Sequence, residues 1–168
     1  MPKKLGRPTD QRMAVLKNQV SELLWNGQIE TTIDRAKSVG RIAEKLLTKA
    51  IKTYKDEVTV TKNVKNAKGE VVAQQFTNDG AKKLAVRRYL MAELRDLQEV
   101  KGDKESKEAF TSRVKDIKHP LIEKIFNEYA PKYAARKEEL GQGGGYTKIV
   151  KMGERRGDAA QLAIIKLI

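Results

Sequence analysis

Residues 141–168 read Gly-Gln-Gly-Gly-Gly-Tyr-Thr-Lys-Ile-Val-Lys-Met-Gly-Glu-Arg-Arg-Gly-Asp-Ala-Ala-Gln-Leu-Ala-Ile-Ile-Lys-Leu-Ile. Two apolar runs of β type, Tyr146–Met152 and Gln161–Ile168, flank the polar connection from Gly153 to Asp158. That arrangement predicts a β-hairpin with a loop longer than the tightest turns. Arg155 and Arg156 stand at its tip, and Gly157 permits the positive φ of a sharp turn. A hairpin with an arginine tip behind a glycine-rich lead-in suits a phosphate backbone. An ordinary edge hairpin with a solvated turn accounts for the same residues equally well. The last run needs burial in either case, since Leu162, Ile164 and Ile165 leave little of it suited to water.

Working back from the hairpin, the chain alternates helical and β-type patterns. Residues 1–8 carry Lys3, Lys4, Arg7 and two prolines, a basic tail expected to order only on a partner. Thr9 or Asp10 is placed to cap a helix with Met13, Leu16, Val20, Leu23 and Leu24 at helical spacing, ending at Asn26-Gly27. Its opposite face offers Arg12, Lys17 and Asn18, and Trp25 is expected to pack. A short β-type run over 28–32 leads to Thr32, a candidate cap for a second helix with Ala36, Val39, Ala43, Leu46, Leu47 and Ala50 on one stripe. Arg35, Lys37, Arg41 and Lys45 occupy the rest of that helix. Such a face is often merely solvated, but here cations outnumber anions.

Alternation over 57–61 and 70–76 predicts a second hairpin with Lys62, Lys65 and Lys68 in its loop. Asn78 or Asp79 would cap a third helix reaching about Leu97, with Leu84, Leu90, Leu94 and Leu97 inward and Arg87-Arg88 as its most basic point. The stretch 98–118 alternates in charge and is expected to be helical from Lys104, with Phe110, Val114 and Ile117 inward. Pro120 starts a further helix using Leu121, Ile122, Ile125 and Phe126, with Pro131 as its expected end. His119 reads as a cap or loop residue. Lys132, Tyr133 and Arg136 then bring cations and an aromatic ring next to the glycines.

A net charge of +13, from 35 basic and 22 acidic side chains among 168 residues, exceeds what solubility asks of a small domain. It implies a polyanionic partner, nucleic acid ahead of membrane. The two ends carry the excess: residues 1–55 hold 12 basic against 5 acidic side chains, residues 131–168 hold 8 against 4, and residues 98–130 hold 7 of each. Without cysteine there is neither a disulfide framework nor a thiolate metal site. No apolar run approaches a bilayer span and the opening residues lack a signal peptide's apolar stretch, so a cytoplasmic protein is expected.

The chemistry that remains is recognition. The glycine run lacks the Gly-Lys-Ser/Thr ending of a nucleotide loop and precedes a strand where such a loop precedes a helix. Arg156-Gly157-Asp158 matches a cell-adhesion tripeptide, but turn chemistry explains it, with Asp158 bonding its own turn. One histidine and scattered carboxylates form no catalytic constellation, and no metal site, cofactor or small-molecule substrate is expected. Lysine and arginine neutralise phosphates, and arginine also stacks on bases. Tyr133 and Tyr146 are placed to stack on unpaired nucleotides or to serve the core. A DNA-binding module shares the charge argument, although no helix-turn-helix spacing stands out. An RNA-processing enzyme is the other rival.

Gly144-Gly145-Tyr146-Thr147-Lys148-Ile149, Lys151, Gly153, Arg155-Arg156-Gly157-Asp158 and the apolar terminal strand resemble the C-terminal signature of the bacterial large-subunit ribosomal protein number seventeen family. Gly6-Arg7, Arg12, Asn18, Leu23-Leu24, Ile29, Thr31-Thr32, Ala36-Lys37, the run Leu46 to Ala50, the run Phe126 to Tyr133 and Arg136 extend the likeness, over roughly 110 residues in all. The tail departs from the family in being shorter and proline-containing. The hairpin at 57–76 and the segment at 98–118 look like additions to the family core.

The resemblance implies an α+β fold, a compact two-layer domain with several helices on a small mixed sheet, here with a C-terminal β-hairpin and a basic N-terminal tail. It also implies a non-catalytic structural component of the large ribosomal subunit, bound to large-subunit ribosomal RNA near the peptide exit tunnel with other ribosomal proteins as neighbours. A single domain spanning 1–168 is expected. The candidate RNA contacts are Lys3, Lys4, Arg7, Arg12, Lys17, Asn18, Arg35, Lys37, Arg41, Arg87, Arg88, Lys132, Arg136, Tyr146, Lys148, Lys151, Arg155 and Arg156.

Overall fold

The computed structural model describes residues 3–65, 71–115, 117–141 and 143–168. Helix α1 (Thr9–Asn26) closes on Gly27, whose φ of 79° lets its N–H reach the Leu23 carbonyl at 2.9 Å. Strand β1 (Gln28–Thr32) follows, and then α2 (Ile33–Thr53), the central helix. All six residues of its expected stripe are buried. The stripe is rich in alanine and includes Gly40, so the helix lies close to the sheet. A Cβ on Gly40 would meet the Thr147 hydroxyl oxygen at 3.2 Å.

The C-terminal hairpin forms as expected from β4 (Thr147–Glu154) and β5 (Gln161–Leu167). β5 pairs with β1 on one side and β4 on the other, giving the order β1-β5-β4. Both pairings are antiparallel, so the sheet is not the mixed one expected. β1 and β5 are distant in sequence, and their pattern of apolar residues does not carry strand direction. Ile29, Ile165 and Ile149 stand in register across the sheet, with Ile165 fully buried and the other two packed on the core. The opposite face carries Lys148, Val150, Ile164 and Lys166, so helices cover one face and two layers result. α1 packs beside α2 through Leu16, Val20, Leu23 and Leu24. Met13, expected on that stripe, is exposed because it precedes the contact. Neither Thr9 nor Asp10 caps α1, which begins one residue earlier behind Pro8, and Thr32 precedes α2 without a side-chain cap bond.

The second hairpin is longer than its sequence pattern implied. β2 (Glu57–Lys65) and β3 (Val71–Asp79) pair over nine positions, so Lys62 and Lys65 lie in the strand, and Lys68 falls outside the described residues. Opposed residues share a face, which places Val58, Val60, Phe76 and Val64 on one side and Thr59, Thr61, Thr77 and Gln75 on the other. Every residue of β2 is exposed, and among the described residues the ribbon's main contact with the body is at its root, with helix α3 (Ala81–Glu93).

That root is held by charge. The Asp56 carboxylate, not Asn78 or Asp79, caps α3, accepting from the Lys82 and Lys83 backbone N–H groups at 2.8 and 3.2 Å. Asp56 approaches so closely that a Cβ on Gly80 would lie 2.4 Å from it. Lys83 bonds Glu57 at 2.6 Å and Asp79 at 3.2 Å, while Arg87 joins Asp79 to Glu123. Burial opposes the charges on Asp79 and Lys83, but the hydrogen bonds of Asp79 with Arg87 and Lys83, and of Lys83 with Glu57 and Asp79, outweigh it, holding Asp79 below its ordinary value and Lys83 above. α3 stops at Glu93, so Leu94 and Leu97 pack from irregular backbone. Helix α4 (Lys107–Val114), capped by Ser106, starts later than Lys104, and Phe110, Val114 and Ile117 are only half-buried.

The largest departure from the sequence reading is at Pro131. Helix α5 (Pro120–Lys124) passes through a π turn (Ile125–Tyr129) into α6 (Ala130–Leu140), so the proline lies inside continuous helix. Proline lacks an N–H and crowds the carbonyl four residues back. The wide turn just before it, with the Ala130 N–H on the Ile125 carbonyl, absorbs the mismatch. α6 closes on Gly141 in the left-handed region, with φ 64°.

Candidate nucleic-acid interface

Each candidate cation is positioned by one of these elements. The tail does not stand away from the body. Leu5 packs against the core, and Lys3 Nζ lies 2.8 Å from the Asp34 carboxylate at the start of α2, so the expectation of a tail awaiting a partner fails from Lys3 onward. Lys4 and Arg7 remain exposed in the turn between. Next to Asp34, Arg35 shares a shallow cavity of about 280 Å³ with Arg155, Gln19, Glu30 and Leu162. The fold thus unites the tail, the start of α2 and the arginine loop, which are far apart in sequence.

Within that loop the arginines differ. Arg155 is clamped on Asp158, with Nε donating at 2.8 Å, and Asp158 also accepts from the Ala160 N–H at 3.2 Å. The hydrogen bond from Arg155 leads the causes that hold the Asp158 carboxyl down at about 2. Arg156 is exposed and has no ion pair among the described residues. The positive φ values fall on Gly153 at the β4 bulge and on Ala159, not on Gly157. The bulge turns the strand before the loop begins, which removes the need for a left-handed residue at 157.

The exposed side of α2 carries Lys37, Arg41, Lys45 and Lys49, each four residues from the next. Successive members are spaced by about 6 Å of helix rise. None has a carboxylate partner among the described residues. The nearby Glu44 instead accepts from the Thr147 hydroxyl at 2.9 Å. Like charges at this spacing repel, so the row is a standing cost that an anion would remove. The outer face of the sheet repeats the pattern, where Lys148 stands directly opposite Lys166 and both are exposed, with Lys151 further along β4.

Other candidates are used within the fold. Arg87 is tied to Asp79 and Glu123, and its guanidinium carbon lies 5.2 Å from the Phe126 ring centre, so it braces the ribbon root. Lys17 reaches Glu93 at 3.3 Å, and Asn18 accepts from Arg95 at 2.9 Å, fastening α1 to the end of α3. Tyr146 is buried against Tyr133, ring centres 4.8 Å apart, which removes both from base stacking. Burial pushes the Tyr133 hydroxyl up to about 12. Arg136 donates to the Gly145 carbonyl at 3.3 Å and steadies the glycine-rich lead-in, where Gly144 and Gly145 adopt positive φ. Arg12 is half-buried, and Arg88 and Lys132 are exposed.

Lys49, Lys166 and Tyr89 are not among the sequence-based candidates. The four-residue spacing from Lys37 is a signal that finds Lys49. Lys166 and Tyr89 become visible only once strand register and the α2–α3 contact are known. His119 precedes α5 in the cap position and meets Asp96 at 3.2 Å. Among the described residues no group of three or more potential metal ligands gathers, and no helix is long and apolar enough to cross a membrane. The arrangement offers cations in rows.

Comparison with known proteins agrees in kind. The family model described as Ribosomal protein L17 matches residues 15–168. The chain is 38% identical to the large ribosomal subunit protein bL17 of Acetivibrio thermocellus, covering 99% of this chain and 98% of the relative. It is 36% identical to the protein of the same name from Lachnospira eligens, at 99% and 98% coverage, and 32% identical to that of Clostridium tetani, at 99% and 96%.

Proposed function

Because the chain belongs to the ribosomal protein L17 family, a family of structural rather than enzymatic components, we propose that it serves in the large ribosomal subunit by binding large-subunit ribosomal RNA. The observation that carries this reading is the row Lys37, Arg41, Lys45 and Lys49, which has no carboxylate partner among the described residues, while Lys83 and Arg87 at the ribbon root are paired. A polyanion removes that repulsion and releases counterions as it binds. The tail, the exposed sides of α1 and α2, the outer sheet face and Arg156 form the RNA-facing surface. Most of its contacts are to phosphates, so RNA shape and neighbouring proteins supply specificity. The site lies near the peptide exit tunnel, on the solvent side, in the cytoplasm.

On this reading the chain is one domain, and the ribbon Glu57–Asp79 and the stretch 98–118 are appendages to its RNA-binding body. Competition binding tests the proposal: the purified chain is titrated with large-subunit ribosomal RNA and with duplex DNA of matched length. Preference for the folded RNA at moderate salt supports it. Equal or tighter binding to the duplex contradicts it and favours a nucleoid role.

A further inference from the structure

The cation row on α2 ends at an aromatic ring. Tyr89 of α3 is exposed, and Lys49 Nζ lies 3.5 Å from its ring centre. With Arg41, Glu44, Lys45 and Thr48 they line one open groove of about 690 Å³. Glu44, the only carboxylate lining it among the described residues, is turned to Thr147. Tyr89 differs in this from Tyr133 and Tyr146, which are buried against each other.

We propose that this groove holds an unpaired nucleotide, its base stacked on Tyr89 and its flanking phosphates carried by Lys45 and Arg41. The inference rests on the RNA-binding reading and gives it a specific ligand, a single-stranded segment rather than a helix. Every base has a π face, so an exposed ring beside a row of cations accepts any base without reading it. Lys49 restrains the ring through its cation–π contact, and the exposed part of the ring is open to a base. Bases in an RNA helix are already stacked, and their edges do not present a face to a ring. The platform therefore selects loops, bulges and strand ends.

The test compares the full chain with its Y89A and Y89F variants. Each is titrated with a single-stranded oligoadenylate and with an RNA duplex of equal charge, over a salt series. Removing a stacking ring weakens single-strand binding by about 5- to 150-fold. Y89A is expected to lose affinity within that range for the oligoadenylate, keep its salt slope and bind the duplex as before, while Y89F behaves as the parent. A second readout uses Y89W in a W25F background, where oligoadenylate but not duplex quenches the emission of residue 89. If Y89A binds the oligoadenylate as tightly as the parent, or loses both ligands equally, the platform is refuted while the RNA-binding reading stands. If the parent chain binds neither RNA, that reading falls and the platform with it.

Discussion

Replacing Lys37, Arg41 and Lys45 together by glutamine should move stability and RNA binding in opposite directions. Glutamine keeps the helix propensity of these side chains while removing charge. None of the three is ion-paired among the described residues, so no native bridge is broken. The change relieves the like-charge contacts 37/41, 41/45 and 45/49. At about 0.2–0.5 kcal/mol each, the helix gains about 0.6–1.5 kcal/mol. For a chain of this size that raises Tm by about 2–5 °C. Each lost phosphate contact lowers the slope of log affinity against log salt by about 0.7–0.9, so the slope should fall by about 2–3. The affinity lost between 50 and 200 mM salt then shrinks by about 20- to 40-fold. Thermal denaturation and an RNA titration at several salt concentrations measure both. A triple variant that is less stable, with an unchanged salt slope, would refute the claim that the row is kept for an anion.

Further predictions concern the ribbon and the buried tyrosines. Joining Thr59 to Thr77 through Asn-Gly in place of residues 60–76 keeps the register of the root and should leave Tm within about 3 °C of the parent, because the removed strands bury little; a collapse of the transition would show that the ribbon supports the core. Asp79→Asn strips the root of the carboxylate shared by Lys83 and Arg87 and should cost about 2 kcal/mol in chemical denaturation, below the full figure for a buried pair because the site is partly solvated. The same root sets a pH dependence. Asp79 is held below its ordinary 3.8, so its contribution is present above that value and is lost as pH falls through the lowered one. Lys83 is held above 10.5, so its contribution is present below that value and is lost as pH rises through the raised one. Stability should therefore carry a plateau between these limits, and the Asp79→Asn variant should be less stable across it and lack the part of the acid-side fall that Asp79 causes. Tyr133→Phe removes a buried hydroxyl that bonds nothing among the described residues and should raise stability by about 1 kcal/mol; a loss of that size would mean the hydroxyl has a partner.

Much of the frame is legible in the sequence because local patterns and tertiary packing agree there. Gly27 ends α1 where the turn chemistry puts it, the α2 stripe is the buried face, and the terminal hairpin spans the expected runs. Several failures share a cause, packing or pairing with residues that the local pattern does not show. Pro131 reads as a stop, yet a π turn and the packing of Phe126, Tyr129 and Tyr133 carry the helix past it. Asn78 and Asp79 read as caps, yet Asp56 from before the ribbon takes that role. Arg87 and Tyr146 are chemically apt for RNA but are claimed by Asp79 with Glu123 and by Tyr133. Composition identifies a cation surplus, but only the fold separates braced cations from available ones.

Sedimentation of a lysate containing the tagged full chain, through a gradient at moderate and then high salt, tests the central claim most directly. The account predicts that the chain travels with the large ribosomal subunit and stays with it through the high-salt wash, while the triple glutamine variant is released at lower salt. A chain that remains in the light fractions, or that moves with DNA, would contradict it.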